Sequence, residues 1–322
     1  MAKSPQKLEM LKFVEEGQSY PEKREPGLRA EDFQEIADRY APDKAAEQAA
    51  RCSQCGVPYC SVHCPLHNHI PDWLRLTAEG RLREAYEMSN LTSTMPEICG
   101  RICPQDRLCE GNCVIEFSGH GAVTIGAVEK YITDTAWEEG WVEPLQPGRP
   151  KGQSVGIIGA GPAGLTAAEY LRVAGYEVHV YDRHDRAGGL LTYGIPGFKL
   201  EKEVIMRRVQ RLKDGGIQFH ESFEVGRDAT LEDLRGKHDA ILIATGVYKA
   251  RAIQLPGVGA PGVEEALDFL IASNRKSFGD DVPEFDSGRY NAHGKNVIVI
   301  GGGDTAMDCV RTSVRQGAKS VK

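Results

Sequence analysis

Two groups of four cysteines constrain this chain more than any other sequence feature. They lie between residues 52 and 113 and hold eight of the nine cysteines. The first group follows the pattern C-x2-C-x4-C-x3-C-P, and the second follows C-x3-C-P-x4-C-x3-C. The members are Cys52, Cys55, Cys60 and Cys64 in the first group, and Cys99, Cys103, Cys109 and Cys113 in the second.

This spacing is typical of iron–sulfur proteins. Eight thiolates is the number that two four-iron (4Fe–4S) clusters require, and cysteines followed by proline recur in bacterial ferredoxins. In such runs the last cysteine of one group ligates the other cluster, so we predict an exchange of ligands between the groups. The predicted sets are Cys52, Cys55, Cys60 and Cys113 on one cluster, and Cys64, Cys103 and Cys109 with a fourth ligand on the other.

The fourth ligand of the second cluster has two candidates. Cys99 is a thiol of the same group, whereas Glu129 lies sixteen residues beyond Cys113, at the start of a predicted helix. A carboxylate is also able to ligate iron. Zinc is the main alternative metal for the eight thiols, but only Cys52 and Cys55 have the C-x2-C spacing that zinc sites favour.

Charge and hydropathy exclude two classes of partner. Residues 1–150 contain 16 Lys and Arg against 24 Asp and Glu, which argues against binding of nucleic acid. The first residues lack the apolar segment of a signal peptide, and no uncharged apolar run reaches the roughly 18 residues of a membrane helix. We therefore expect a cytoplasmic protein without a membrane partner, in which thiols stay reduced and disulfides are rare.

The cysteine-rich part of the chain predicts an α-helical domain over residues 1–150 that binds both clusters. Residues 31–40 and 41–51 have the apolar periodicity of short helices, and residues 70–89 have that of two helices broken at Gly80. The Pro- and Gly-rich stretch 144–153 indicates the boundary to the next domain.

A nucleotide-binding fingerprint follows this boundary. An apolar strand leads into the G-x-G-x-x-G motif of Gly159, Gly161 and Gly164, which opens a helix. The first glycine makes the tight turn, the second lets the backbone approach a pyrophosphate, and the third lets the helix pack on the strand. The next strand ends at Asp182, where a carboxylate holds ribose hydroxyls. These features predict a dinucleotide site in a Rossmann-like domain over residues 151–290, in which a buried strand leads into a tight turn at Thr245 and Gly246.

A second fingerprint closes the chain. A strand from Asn296 leads into the G-x-G-x-x-A motif of Gly301, Gly303 and Ala306, a variant that is common in NADP-binding proteins. We predict that residues 291–322 begin a second Rossmann-like domain, and we expect the chain to be the N-terminal portion of a longer protein. The alternative is that the second fingerprint is a decayed repeat, which serves only for packing and binds no dinucleotide. The predicted fold class is α/β with an N-terminal helical iron–sulfur domain and two Rossmann-like domains, the second truncated.

The two cysteine groups and the two fingerprints closely resemble the small subunits of bacterial NADPH-dependent glutamate synthases. The resemblance is strongest in residues 99–111, 198–204 and 301–319, and it covers essentially the whole chain. The wider family includes the electron-input half of dihydropyrimidine dehydrogenase and subunits of ferredoxin–NADP transhydrogenase. Family members continue well past Lys322, with a further glycine–aspartate motif that completes the FAD site.

The resemblance implies FAD in the first nucleotide site and NADPH in the second. Relatives have Gln or Glu at the position of Glu129 as the fourth ligand of one cluster, which puts Glu129 in competition with Cys99. The positions that correspond to FAD contacts are Gly159, Ala160, Gly161, Pro162, Ala163, Gly164, Asp182, Gly189, Leu190 and Lys199. The positions of the NADPH site are Gly301, Gly302, Gly303, Asp304, Thr305 and Ala306.

The resemblance further implies an oxidoreductase that acts as an electron-input subunit. NADPH would reduce FAD, and the clusters would pass electrons to a glutamate synthase large subunit, with which the chain would form a hetero-oligomer. The large subunit would make L-glutamate from glutamine and 2-oxoglutarate. We expect no catalytic acid or base in this chain, because the cofactors perform the chemistry. Two alternatives remain: a reductase subunit with another acceptor, and a cluster-bearing docking scaffold without enzymatic activity.

Overall fold

The structure, a computed structural model, describes residues 9–250 and 256–322. The chain consists of two compact units. The first comprises Met1–Arg24 and Ala37–Glu143, and the second comprises Glu25–Ile36 and Pro144–Lys322. Residues 25–36, which the sequence analysis placed in the first domain, thus belong to the second unit. The predicted boundaries after residues 150 and 290 stay predictions.

The helices and strands are numbered in chain order. The helices are α1 Lys12–Glu15, α2 Pro26–Glu31, α3 Pro42–Ala50, α4 Tyr59–Val62, α5 Ile70–Ala78, α6 Leu82–Asn90, α7 Pro96–Ile102, α8 Val114–Phe117, α9 Ile125–Glu138, α10 Pro162–Val173, α11 Leu190–Tyr193, α12 Lys202–Asp214, α13 Leu231–Lys237, α14 Ala266–Ser277, α15 Pro283–Asp286 and α16 Asp304–Arg315. The strands are β1 Ser154–Ile158, β2 Glu177–Tyr181, β3 Gln218–His220, β4 Ala240–Ile243, β5 Asn296–Val297 and β6 Ser320–Val321.

The first unit is built from helices around one apolar core. Helices α3, α5, α6, α7 and α9 pack on one another, and Trp73, Val128 and Ile132 are almost completely buried between them. The indole N–H of Trp73 donates to Asn68 Oδ1 over 2.8 Å, so its burial leaves no polar atom unsatisfied. The predicted helical domain is therefore observed.

The predicted break at Gly80 is also observed. Gly80 follows α5 with a φ of +76°, a conformation that favours glycine. Its N–H donates to Thr77 O, and the N–H of Arg81 donates to Leu76 O. These two bonds form the Schellman motif that ends many helices. The motif turns the chain so that α6 packs back against α5.

The predicted helix over residues 31–40 is wrong. Helix α2 ends at Glu31, and Asp32 continues in extended conformation with its Oδ1 accepting from Gln34 N over 3.0 Å. The apolar residues of this stretch pack in two different units. The ring of Phe33 lies 6.2 Å from that of Phe198 in the second unit, whereas Tyr40 is buried in the core of the first. Their spacing therefore reflects two separate packing sites and not one helical face.

The second unit contains a four-stranded parallel sheet with the order β3-β2-β1-β4. Helix α10 connects β1 to β2, α12 connects β2 to β3, and α13 connects β3 to β4. Strand β1 lies in the middle of the sheet and is mostly buried, as its uninterrupted apolar sequence predicts. This order is that of a Rossmann-like nucleotide-binding fold, so the predicted fold class is confirmed.

The second fingerprint forms a smaller sheet. Strands β5 and β6 pair in parallel, with Asn296 opposite Ser320 and Val297 opposite Val321. The predicted strand is longer than the observed one, and Ile298 and Ile300 are 75% and 69% exposed. Helix α16 follows the glycines as predicted. Within the described ranges, no helix combines the length and hydrophobicity needed to cross a bilayer.

Candidate cofactor-binding sites

Four thiols from separate parts of the first unit line one small cavity. Cys52 and Cys55 lie between α3 and α4, Cys60 lies in α4, and Cys113 directly precedes α8. They are the four cysteines of the first predicted ligand set. The remaining wall of the cavity is mostly apolar and includes Pro58, Leu74, Val114, Ile115, Val123 and Ile125. The structure thus brings the set together, while ligation itself stays a prediction.

The chemistry of this donor set fits an iron–sulfur cluster. Burial, with a contribution from neighbouring thiols, raises the pKa of Cys52 to about 12 and that of Cys60 to about 11. Thiols in such surroundings ionise when metal ions supply positive charge. Gln54 Nε2 donates to Cys52 Sγ over 3.3 Å, and Ser53 Oγ lies 3.2 Å from Cys55 Sγ. Hydrogen bonds to cluster sulfurs are among the features that set a cluster's reduction potential.

The other four thiols interact with one another and with Glu129. A hydrogen bond with Cys103, followed by burial, raises the pKa of Cys99. Burial raises the pKa of Cys109, with further contributions that include Glu129 and Cys64. Electrostatic interactions thus link Cys64 with Cys109, Cys109 with Glu129, and Glu129 with Cys99, which in turn forms a hydrogen bond with Cys103.

The second set is richer in acid than the first. Burial raises the pKa of Glu129 well above its ordinary range, and Cys99 and the completely buried Glu97 raise it further. Glu110 is also buried, and it accepts hydrogen bonds from Tyr20 Oη over 2.7 Å and from Gly126 N over 3.0 Å. Sequence reasoning missed Glu97 and Glu110, because a glutamate beside a cysteine motif carries no signal of burial.

All nine cysteines are described, and none of them forms a disulfide. In residues 9–250 and 256–322, no three side chains of His, Cys, Asp or Glu lie close enough to bind a single metal ion. Metal analysis of the purified protein would distinguish zinc from iron at these thiols.

A cleft of about 550 Å³ opens at the carboxyl ends of β1, β2 and β4. Its volume lies within the usual range for small-molecule sites, and its position is the usual one for ligands of open parallel sheets. Nine predicted FAD-site residues line it: Gly159, Gly161, Pro162, Ala163, Asp182, Gly189, Leu190, Thr245 and Gly246. Sequence reasoning missed Tyr181, Arg183, His184, Phe223, Glu224, Val225 and Tyr248.

The glycine motif has the geometry that a bound pyrophosphate requires. A Cβ on Gly164 would lie 1.9 Å from Gly159 O, so only glycine lets α10 approach β1 this closely. Around Gly161, by contrast, nothing lies within 4 Å of the position of a Cβ. The open space at Gly161 is at the N terminus of α10, where anions bind favourably. These residues fit a dinucleotide.

Asp182 holds the glycine turn in place. Its Oδ2 accepts from Ala160 N over 2.6 Å, and its Oδ1 accepts from His184 N over 2.9 Å. Each carboxylate oxygen has a second lone pair, which stays available to a ribose hydroxyl. The acid predicted to bind ribose therefore also fixes the loop that would bind the phosphates.

Three side chains at the cleft form a cluster that the sequence did not predict. The guanidinium of Arg183 lies 4.4 Å from the ring centre of Tyr248, and the ring of His184 lies 5.9 Å from that of Tyr248. Burial lowers the pKa of His184. The only sequence signal was position, because Arg183 and His184 directly follow Asp182.

Lys199 does not line the cleft. Its Nζ donates to Asp308 Oδ2 of α16 over 3.1 Å, so it connects the loop after α11 to the helix of the second fingerprint. Its predicted contact with FAD stays a prediction.

The second fingerprint has the same type of turn as the first. Gly301 has a φ of +139°, and nothing lies within 4 Å of a Cβ on Gly302 or Gly303. Helix α16 begins at Asp304, with Thr305 and Ala306 in its first turn. An open glycine turn before a twelve-residue helix fits the phosphates of a second dinucleotide.

A hydrogen-bonded group of histidines lies in the same unit as the cleft. Tyr181 Oη lies 2.8 Å from His238 Nε2, and His238 Nδ1 lies 2.9 Å from Ser154 Oγ. The ring of Tyr181 stacks on that of His220, with the two ring centres 4.5 Å apart. Burial lowers the pKa of His220 and of His238, which favours the neutral form of both rings.

Two protein families match the chain. Residues 29–141 match dihydropyrimidine dehydrogenase domain II, 4Fe–4S cluster, and residues 153–321 match pyridine nucleotide–disulphide oxidoreductase. The first match contains both cysteine groups and Glu129. The second contains both glycine fingerprints. The chain therefore combines a 4Fe–4S cluster domain with a pyridine nucleotide oxidoreductase domain, as predicted.

Curated relatives share most of this chain. It is 66% identical over 313 residues to the glutamate synthase (NADPH) small chain of Azospirillum brasilense, covering 97% of this chain and 65% of the relative. The corresponding Escherichia coli K12 small chain is 48% identical, covering 97% and 66%. The putative oxidoreductase AegA of E. coli K12 is 46% identical, covering 98% and 49%. The chain thus spans half to two thirds of these relatives, and its resemblance to glutamate synthase small chains is confirmed.

Proposed function

The chain belongs to the pyridine nucleotide–disulphide oxidoreductase family, and on that premise we propose that it is the electron-input module of a glutamate synthase. It oxidises NADPH and passes the electrons to a large subunit that makes L-glutamate from glutamine and 2-oxoglutarate. The observation that carries the proposal is the presence, in one chain, of two sets of thiols, one of which lines a single cavity, and a dinucleotide cleft. Such a combination serves to divide a two-electron input into single electrons.

When bound, FAD takes up a hydride from NADPH, and the two clusters carry its electrons onward one at a time. The protein residues bind and orient these groups. The turn from Gly159 to Gly164 and the N terminus of α10 hold the FAD pyrophosphate, while Asp182 holds the ribose. Gly189, Leu190, Thr245 and Gly246 form the rest of the FAD site. Gly301 to Ala306 hold the phosphates of NADPH.

The first unit provides the cluster ligands. Cys52, Cys55, Cys60 and Cys113 ligate the first cluster within a mostly apolar wall. Cys64, Cys103 and Cys109 ligate the second cluster, together with Cys99 or Glu129. No side chain of the chain transfers a proton to substrate in this proposal, because a hydride and single electrons are all that moves.

Reduction by NADPH tests the proposal most simply. The full-length protein is purified without oxygen, and its flavin absorbance is followed while NADPH is added, with ferricyanide as the final acceptor. We expect bleaching by NADPH and catalytic reduction of ferricyanide. A protein that binds iron but is not reduced by NADPH would be a docking scaffold, and the proposal would fail.

A related activity has one observation in its favour. The similarity to the putative oxidoreductase AegA covers 98% of this chain, so the same electron-input unit occurs in a protein with a different name. The second candidate is therefore a reductase subunit with another acceptor. Co-purification separates the two: a large flavin-bearing partner that makes glutamate supports glutamate synthase, and a different partner supports the second candidate.

A further inference from the structure

Arg51 is a completely buried cation that is held by neutral groups. It follows α3, and its side chain is 0% exposed. Its Nε donates to Glu16 O over 2.9 Å, and its Nη1 donates to Ala122 O over 2.6 Å. Its Nη2 donates to His120 O and Gly121 O over 2.8 and 2.9 Å. All four acceptors are backbone carbonyls. They accept hydrogen bonds from the guanidinium, but they are uncharged and do not neutralise its positive charge.

A buried charge without a counter-charge is unfavourable, because the charge loses its hydration. Among the residues that the structure describes, Arg51 forms no ion pair with a carboxylate. Burial lowers the pKa of Arg51, and the group that opposes this effect most is Cys113. Glu116 also opposes it, to a smaller extent, and is exposed. The strongest opposing interaction of Arg51 is therefore with a thiol of the first ligand set, a group that becomes negative when it binds metal.

Arg51 also adjoins the wall of the cavity that this set lines. The next residue, Cys52, lines the cavity directly. The carbonyl of Ala122 accepts a hydrogen bond from Arg51, and the next residue, Val123, is part of the same cavity wall. Four hydrogen bonds thus hold the guanidinium, one of them to the carbonyl that directly precedes Val123 of the cavity wall.

We propose that Arg51 is the counter-charge of the cluster bound by Cys52, Cys55, Cys60 and Cys113, and that it raises the reduction potential of this cluster. The inference rests on the proposed function, because it requires iron at these thiols. The step concerned is the uptake of one electron, supplied by the bound flavin, into the cluster core. No bond forms or breaks, and no proton is taken up. The reduced cluster is more negative, so a fixed cation stabilises it more than the oxidised cluster.

The experiment compares Arg51→Gln with Arg51→Lys by redox titration monitored by electron paramagnetic resonance. We expect Arg51→Gln to make reduction of the first cluster at least tenfold less favourable, which is about 59 mV for a one-electron couple, with the second cluster unchanged. Lysine keeps the charge but cannot make the four-carbonyl contact, so Arg51→Lys should stay within threefold of the wild type. Cys113→Ser should lack the first cluster, so the electron paramagnetic resonance signal that is missing in this variant is that of the first cluster.

Arg39→Gln is the matched control, because Arg39 lies in the same unit but forms an ion pair with Glu138 over 2.6 Å. It should leave both potentials unchanged. An unchanged potential in Arg51→Gln, an equal shift of both clusters, or an equal fall in Arg51→Lys and Arg51→Gln would overturn the proposal. If Arg51→Gln takes up no first cluster, Arg51→Lys decides: a wild-type potential supports the role of charge, and a tenfold fall contradicts it. A wild-type protein without iron would instead refute the proposed function.

Discussion

The two units prepare their binding sites in opposite ways. In the first unit the candidate ligands are thiols and a carboxylate, and burial raises the pKa of Cys52, Cys60 and Glu129 among them. In the second unit the cleft is formed largely by backbone, at the glycine turn between β1 and α10. The first site has thiols that ionise when a metal supplies positive charge, whereas the cleft of the second unit is shaped by the folded backbone itself.

This difference predicts how each unit depends on its ligand. Metal binding supplies folding free energy when the ligands have no other stabilising partner. We therefore expect loss of iron to destabilise the first unit, and loss of flavin to leave the folded second unit intact. Substitutions in one unit should have little effect on the cofactor content of the other. The following variants test that separation.

The largest expected effect is that of Cys113→Ser. This thiol completes the first ligand set from the far end of the cysteine region, so its loss should reduce the iron content from about eight to about four per chain. Iron and sulfide analysis measures the change. Cys309→Ser is the control, because Cys309 is buried on α16 in the second unit and should leave about eight irons. Full iron content in Cys113→Ser would contradict the predicted exchange of ligands.

The second ligand set is tested by Cys99→Ser and Glu129→Ala. Only one of these residues completes the set, so one variant should lose about four irons and the other should keep about eight. Iron analysis with electron paramagnetic resonance identifies which. If neither variant loses a cluster, or if both do, the assignment of a single fourth ligand is wrong.

A Gly164→Ala substitution should act on flavin alone. The added Cβ would lie 1.9 Å from Gly159 O, which forces α10 away from the phosphate turn. We expect at least a tenfold loss of bound flavin, measured by absorbance after gel filtration, with iron unchanged. Gly236→Ala on α13 is the matched control, because nothing lies within 4 Å of its Cβ position. Loss of iron in Gly164→Ala would show that the two units do not bind independently.

The smallest expected effect is on pH dependence. Burial lowers the pKa of His220 and His238 in the folded protein, so below about pH 6.5 the unfolded chain binds more protons. The stability of the second unit should therefore fall as the pH drops from 7.5 to 5.5, seen as a decrease in Tm of a few degrees. His238→Gln should weaken this dependence, and His293→Gln, at an exposed histidine of the same unit, should not. A Tm independent of pH would contradict the argument.

The sequence predicted those features whose cause is local. The strand, glycine turn and helix around Gly159 form as predicted, because each step depends on a few adjacent residues. The grouping of Cys113 with Cys52, Cys55 and Cys60 was also predictable, since ferredoxin spacing encodes it. The ligand roles themselves stay predictions.

Features that depend on contacts distant in sequence were not predictable. The helix expected over residues 31–40 failed because Phe33 and Tyr40 pack in different units. Arg51 reads as an ordinary charged residue, and only the structure shows that carbonyls 35 to 71 residues away bury it. The pairing of Lys199 with Asp308 likewise joins two motifs that the sequence presents separately.

The central claim is that one chain holds two four-iron clusters and one flavin for the transfer of electrons. Quantitation of iron, sulfide, zinc and flavin on protein purified without oxygen tests it most directly, with electron paramagnetic resonance of the reduced protein. The account predicts about eight irons, about eight sulfides and one FAD per chain, with signals from reduced clusters. Stoichiometric zinc in place of iron would contradict it.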